Sequence, residues 1–258
     1  MTHYGHDLRF GVFITPTAAE AHDVLRLAKL AEREHLDIVT FQDHPYQRRF
    51  LDAFTLLAMV AAQTDRIYLA PNVANLPLRL PVTIAKAAAS IDIVSEGRMH
   101  LGLGAGAFWD AIERVGGPRR TPGESVDALS GAIDAIRGFW GEGPQPFERI
   151  EIWLGAYKPR MLHLTGRKAD GWLVSQGGAP PEALGELTAQ IDAAAQAAGR
   201  DPREIRRLYN IDSSLKARDL CKLYADHGVS AFILMTDDAD EIKRFAHEVA
   251  PMVRELVP

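Results

Sequence analysis

The chain has 258 residues, 47% of them apolar, and a formal net charge of −5. That length suits one large core, about the size of a single (β/α)8 barrel. No basic run is present, which argues against a nucleic-acid partner, because neutralising phosphates needs a cationic face. The single cysteine, Cys221, rules out an internal disulfide and any CxxC metal or redox motif, and it fits a reducing compartment.

The opening stretch, Met1 to Asp7, has neither a basic n-region nor an apolar core, so no signal peptide is expected. No segment has the apolar length of a bilayer span, and a cytoplasmic protein is expected. The predicted strands are Leu8 to Ile14, Leu36 to Gln42, Ile67 to Val73, Arg98 to Gly104, Ile150 to Gly155, Gly171 to Ser175, Ile205 to Ile211 and Val229 to Met235. Each is short and rich in Val, Ile, Leu or aromatics, as strands buried on both faces are.

Helical periodicity fills the intervals. Leu25, Ala28, Leu30 and Ala31 carry it in the first, and Phe54, Leu57, Ala58 and Ala61 in the second. Pro81 suits a first helical turn, and Gly97 the turn that follows that helix. Thr121-Pro122-Gly123-Glu124 reads as a capping box, and Pro180-Pro181 and Gly199 bracket a later helix. Nothing in composition divides the chain, so one α/β domain is expected over residues 1–258, a single TIM barrel. A doubly wound open sheet has the same alternation. Its dinucleotide fingerprint should follow the first strand, where Phe13-Ile14-Thr15-Pro16-Thr17 has no glycine.

In such a barrel the chemistry sits at the strand C-terminal ends. After strand two, Gln42-Asp43-His44-Pro45-Tyr46 offers a His able to exchange a proton near neutral pH, or one merely hydrogen-bonded beside a proline turn. After strand three, Pro71-Asn72-Val73-Ala74-Asn75-Leu76-Pro77 reads as an irregular exit, either a bulge or a plain loop. After strand four, Gly102-Leu103-Gly104-Ala105-Gly106-Ala107 allows close backbone approach to a ligand or tight packing at the rim, and Phe108-Trp109 lines a pocket or caps the barrel. After strand five, Gly155-Ala156-Tyr157-Lys158-Pro159 runs into a helix whose N-terminal dipole, with Lys158, favours a phosphate. The nine His are dispersed without metal-ligand spacing, no GxSxG appears, and Asp237, Asp238 and Asp240 read as N-terminal helix charges. Cofactor-borne hydride or electron chemistry suits a site with so few ionisable groups.

At these residues the chain resembles the bacterial luciferase-like superfamily of flavin- and deazaflavin-dependent oxidoreductases, over nearly its whole length. The most specific stretches are Phe41 to Tyr46, Ala85 to Gly106 with its Ser95-Glu96-Gly97-Arg98 turn, Trp153 to Arg160, and Ala169-Asp170-Gly171-Trp172. The Asp-His pair looks most like the branch that uses coenzyme F420. The resemblance implies a tricyclic ring at the barrel mouth, with Asp43 and His44 by its reactive centre and His44 handling the proton. It places an Asn72-Val73 bulge, joined by a cis peptide, behind the ring. Gly104, Ala105 and Gly106 would then contact the ribityl side, and Gly155, Ala156, Tyr157 and Lys158 would receive the phosphate. Tyr46, Phe108 and Trp109 would meet the substrate, and a homodimer is implied.

Two departures stand out. The sugar-phosphate dehydrogenases of the branch carry an acid after the strand-four glycines, where this chain has Ala107; an apolar or aromatic substrate is expected instead. The connections at Gly141 to Arg149 and near Ser213-Ser214 are short for the family, which implies either an open pocket or flexible loops absent from the sequence. The expected activity is F420-dependent hydride transfer to or from a small organic molecule. A reduced-FMN monooxygenase is the alternative, and a catalytically silent cofactor-binding barrel the rival of another class.

Overall fold

A computed structural model of the chain describes residues 4–143 and 145–257. Met1–His3, Pro144 and Pro258 lie outside the described residues, and with them parts of the N-terminal stretch and of the short connection noted above. The strands are β1 (Arg9–Ile14), β2 (Ile38–Phe41), β3 (Tyr68–Pro71), β4 (Ala74–Asn75), β5 (Leu101–Gly104), β6 (Ile152–Leu154), β7 (Gly171–Ser175), β8 (Arg206–Ile211) and β9 (Val229–Met235). All pair in parallel, in the order β3-β2-β1-β9-β8-β7-β6-β5-β4. The ring closes between β3 and the residues just before β5. There the Leu69 amide donates to the Arg98 carbonyl at 2.8 Å, and the His100 amide to the Leu69 carbonyl at 2.8 Å. Closure removes both sheet edges and excludes the open, doubly wound alternative.

The expected third strand, Ile67 to Val73, is divided. A cis peptide joins Asn72 to Val73, as the resemblance implied, and turns the chain so that β3 pairs with β2 while β4 pairs with β5. Nine strand segments therefore make eight staves.

The helices are α1 (Ala21–Arg33), α2 (Ala53–Ala61), α3 (Pro81–Val94), α4 (Trp109–Arg114), α5 (Pro122–Glu142), α6 (Pro159–Lys168), α7 (Leu184–Ala197), α8 (Ala217–His227), α9 (Ala239–Arg244) and α10 (Ala250–Leu256). Their starts follow local chemistry. The Asp52 side chain accepts from the Thr55 amide at α2, and Pro81 and Pro159 open α3 and α6, where no intrahelical donor is needed. At α5, Thr121 and Glu124 form the reciprocal capping box. Asp238 caps α9 by accepting from the Asp240 and Glu241 amides, in line with the reading of that acidic run. Among the described residues no helix is long and apolar enough to cross a membrane, and no group of three or more potential metal ligands occurs. Cys221, on α8, is a free thiol.

Two apolar layers hold the barrel. One lies between strands and helices. The other fills the barrel's interior with Ile38, Ala70, Trp153, Leu173, Leu208, Ala231 and Ile233, joined by Phe13, Tyr68 and Val73. The interior layer stops short of the strand C-terminal ends, and the space left there is the site.

Candidate active site

A cavity of about 600 Å³ opens at the C-terminal mouth of the barrel. Every residue singled out above as a site candidate lines it except Ala156 and Trp109. Ala156 is fully buried, and its carbonyl accepts from Trp172 Nε1 at 2.8 Å, so it anchors the loop from behind. Trp109 opens α4 and packs against Gly106, whose φ of +105° and contact with Pro77 leave no room for a side chain.

Amides and one valine form the floor. Asn72 Nδ2 donates to Asn210 Oδ1 at 2.8 Å and to Thr40 Oγ1 at 3.2 Å. Asn210 Nδ2 returns a bond to Asn72 Oδ1 at 3.2 Å and reaches Ser175 Oγ at 2.9 Å. The cis peptide sets Val73 beside this network. A Cβ on Gly104 would stand 2.7 Å from Val73 Cγ2, and one on Gly102 would stand 2.2 Å from the Pro71 carbonyl oxygen. The β5 glycines thus make room for the bulge itself, so close packing at the rim is their first role. The product is an apolar floor of Val73, Leu173 and Phe13 with an amide border.

One wall carries the Asp-His pair. Asp43 is 2% exposed and fully engaged: Arg79 grips both its oxygens at 2.7 Å, and the Asn75 amide donates to Oδ2 at 2.9 Å. Arg79 also binds Asp52, the N-cap of α2, and lies over the Phe54 ring with 4.9 Å to its centroid. Burial opposes the charge on Arg79, but the two carboxylates hold its pKa above the ordinary value. Burial likewise opposes ionisation of Asp52, and Arg79 with the Thr55 amide pulls its pKa below the usual carboxylate range. His44 stacks on Tyr46 at 5.3 Å between centroids, and Phe108 meets it edge-on at 5.9 Å. Burial lowers the His44 pKa, the Asp43 charge only partly offsetting it, so the imidazole is neutral at pH 7. Burial raises the Tyr46 pKa, and Asp43 adds to the shift.

The opposite wall is the turn into α6. Gly155, Tyr157 and Lys158 line the cavity with Met161 of the first helical turn. The Tyr157 hydroxyl accepts from the Ser175 amide at 3.0 Å, which ties this wall to the exit of β7. Lys158 is exposed at the positive end of the α6 dipole.

Arg79, Asn210, Ser175, Phe13 and Leu173 were missed by the sequence reading. Ser175 and Asn210 are polar residues at or near the ends of predicted barrel strands, and that position alone was a usable signal. Arg79 gave none, because its partner lies 36 residues away. The assembled site is a cavity with an apolar floor bordered by amides, a lysine at one end beside the start of α6, and an imidazole among aromatic rings on the other wall.

A family model described as luciferase-like monooxygenase matches residues 7–250. A 5,10-methylenetetrahydromethanopterin reductase of Methanolobus tindarius is 32% identical over 215 residues, 77% of this chain and 63% of that protein. An F420-dependent glucose-6-phosphate dehydrogenase of Kribbella flavida is 25% identical over 230 residues, 80% of this chain and 69% of the relative. The chain thus spans somewhat less than two thirds of the length of the reductase it matches. Among solved structures, an F420-dependent secondary alcohol dehydrogenase in complex with an F420-acetone adduct superposes with a TM-score of 0.83 at 16% identity, covering 96% of this chain and 100% of the other. A long-chain alkane monooxygenase does so with a TM-score of 0.83 at 12% identity, covering 97% and 92%. At such identities these structures establish the shared barrel.

Proposed function

The chain belongs to the luciferase-like monooxygenase family, and on that premise we propose that it is an oxidoreductase moving hydride between a deazaflavin of the F420 type and a small organic substrate. The observation that carries this reading is His44 on the wall of a cavity at the barrel mouth, across from Lys158 and the start of α6, an end that suits an anion. The residues present fit such a cofactor. Val73, Leu173 and Phe13 supply an apolar platform for a ring, and Asn72, Asn210 and Ser175 border it with donors and acceptors for polar ring edges. Gly104 to Gly106 would take the ribityl side, and Gly155 to Lys158, at the α6 dipole, the phosphate. The sequence relatives favour the deazaflavin, since the Kribbella protein is named for F420.

When bound, the cofactor supplies the carbon that accepts or gives hydride. His44, neutral at working pH, takes the proton from a substrate hydroxyl as hydride leaves its carbon, and returns it when a carbonyl is reduced. Tyr46 and Phe108 flank the imidazole, and with Ala107 they offer an apolar face to the substrate. An uncharged apolar or aromatic substrate suits that face better than a sugar phosphate.

The test is a fluorescence titration with oxidised and reduced F420, run beside FMN. Saturable micromolar binding of F420 with weak FMN binding is expected. The reverse preference would mean an oxygen-using flavin enzyme. His44→Ala should keep the cofactor Kd within a few-fold and lower turnover by about 10²- to 10⁴-fold, the usual range for a lost proton-transfer group. Full activity in that variant would remove His44 from the mechanism, and cofactor binding without turnover on any screened substrate would favour a carrier.

A further inference from the structure

We propose that Arg79 is a positioning residue that acts on His44 through Asp43, clamping the carboxylate that precedes the imidazole and offsetting its charge. The proposal rests on the functional reading above for its catalytic meaning, and on geometry for everything else. Asp43 is buried on the cavity wall, and a buried carboxylate is costly unless it is both paired and hydrogen-bonded. Arg79 meets both demands with a two-pronged grip at 2.7 Å, while the Asn75 amide fills a further acceptor site on Oδ2. The guanidinium is anchored in turn by Asp52 at the α2 N-terminus and by the Phe54 face, so its fork has little freedom. Through it, the β2 exit carrying Asp43-His44 is fastened both to the β4 exit and to α2. The clamp therefore fixes the imidazole relative to the Asn72-Val73 floor, the two features between which a substrate would react.

The clamp also sets the charge that His44 experiences. Asp43 is the charged group acting on the imidazole, and it favours the protonated form. Tyr46 and Phe50 on the same loop and Phe108 before α4 face the ring as aromatics, and Lys158 and Tyr157 line the far side of the cavity. Arg79, bound to Asp43, partly cancels the one field that would charge the base. Without it, an uncompensated carboxylate would hold His44 protonated to higher pH, and the Asn75 amide alone would hold the Asp43 side chain.

The ring titration of His44 in the cofactor-free protein, followed by NMR and assigned with His44→Gln, tests this independently of any activity. Arg79→Met should raise the midpoint by about half a pH unit or more, and Arg79→Lys should restore most of it, since the charge returns without the fork. In an Asp43→Asn background, where the guanidinium loses its two-pronged anchor beside the imidazole, Arg79→Met should add a much smaller shift, and turnover in the double variant should match that of the worse single one, as for residues acting as one unit. An unmoved or lowered midpoint in Arg79→Met, or equal shifts in both backgrounds, overturns the proposal. If the protein binds neither F420 nor FMN, the functional reading fails while the titration still decides the role of Arg79.

Discussion

Gly104 is the residue on which the floor turns. Its missing side chain makes room for Val73 Cγ2, which would otherwise stand 2.7 Å from a Cβ, and Val73 is the apolar floor. Gly104→Ala must therefore push Val73 into the slot or push the strand outward. Overpacking of this kind costs about 1–3 kcal/mol. The expected outcome is a lower melting temperature together with a cofactor affinity weakened at least tenfold. Removing the offending methyls in Gly104→Ala/Val73→Ala should recover the melting temperature but not the affinity, because the platform is then gone. Unchanged binding in the single variant would mean that Val73 does not contact the ring. The glycines of β5 are visible in the sequence as an invitation to close approach. What approaches them was not visible, since the bulge is built by residues some thirty positions earlier.

Helix starts were the most legible elements, because their signals are local. The Thr121 hydroxyl and the Glu124 carboxylate each satisfy the other's backbone amide, as the spacing predicted. Thr121→Ala should cost about 1 kcal/mol, a typical lost N-cap, and leave the cofactor titration unchanged, since neither residue lines the cavity. A change in affinity would show that α5 supports the site more directly than its position implies. Strands were legible in number and order but not at their ends. Predicted runs begin one to three residues early where the chain is apolar but not yet laddered, as at Leu36 and Ile150. Ile67 to Val73 reads as one strand with an irregular exit, since the Asn and Pro residues of Pro71 to Pro77 mark a bulge or a loop, but residue composition does not reveal a peptide's isomer and the cis bond followed only from the family resemblance. Arg79 was illegible for a different reason. It sits in the 3-10 turn and its exit after β4, amid leucines and prolines, and acquires meaning only once barrel closure brings it to Asp43.

At the scale of the whole barrel, chemistry and stability are assigned to opposite ends. The N-terminal face is plugged by a polar cluster at the starts of the strands. Arg9 donates to His100 Nε2 at 2.9 Å and covers the Tyr68 ring at 4.4 Å, while His100 stacks on Tyr68 at 5.0 Å and tilts over Trp153 at 4.8 Å. Accepting from Arg9 requires Nε2 to be unprotonated, so this bond favours the neutral form of His100. Burial first, and then the neighbouring Arg9 and Arg206 charges, press its pKa down to about 4 against the pull of Glu151; burial and Arg206 do the same to His6, also to about 4. Both groups thus have folded pKa values below the unfolded value of about 6.5. Above that value neither state binds the proton, and stability does not depend on these residues. As pH falls from about 6.5 towards 4 the unfolded chain takes up protons that the folded one refuses, and stability is lost. For His100, only 5% exposed, the loss amounts to about 2 kcal/mol by pH 5, from the shift of roughly 2.5 units. Glu151 acts in the same direction at lower pH. Burial opposes its ionisation, but His100 and Arg206 depress its pKa below the usual range, so its contribution fades as pH falls through that depressed value. The melting temperature should therefore fall steadily between pH 6.5 and 4.5. His100→Gln, whose amide oxygen can still accept from Arg9, should flatten that slope while leaving the pH dependence of turnover, which the proposed function assigns to His44 at the other end of the barrel, where it was. A slope unchanged in His100→Gln would move the acid sensitivity to His6, and a turnover profile that shifted with it would mean that the two ends of the barrel are coupled.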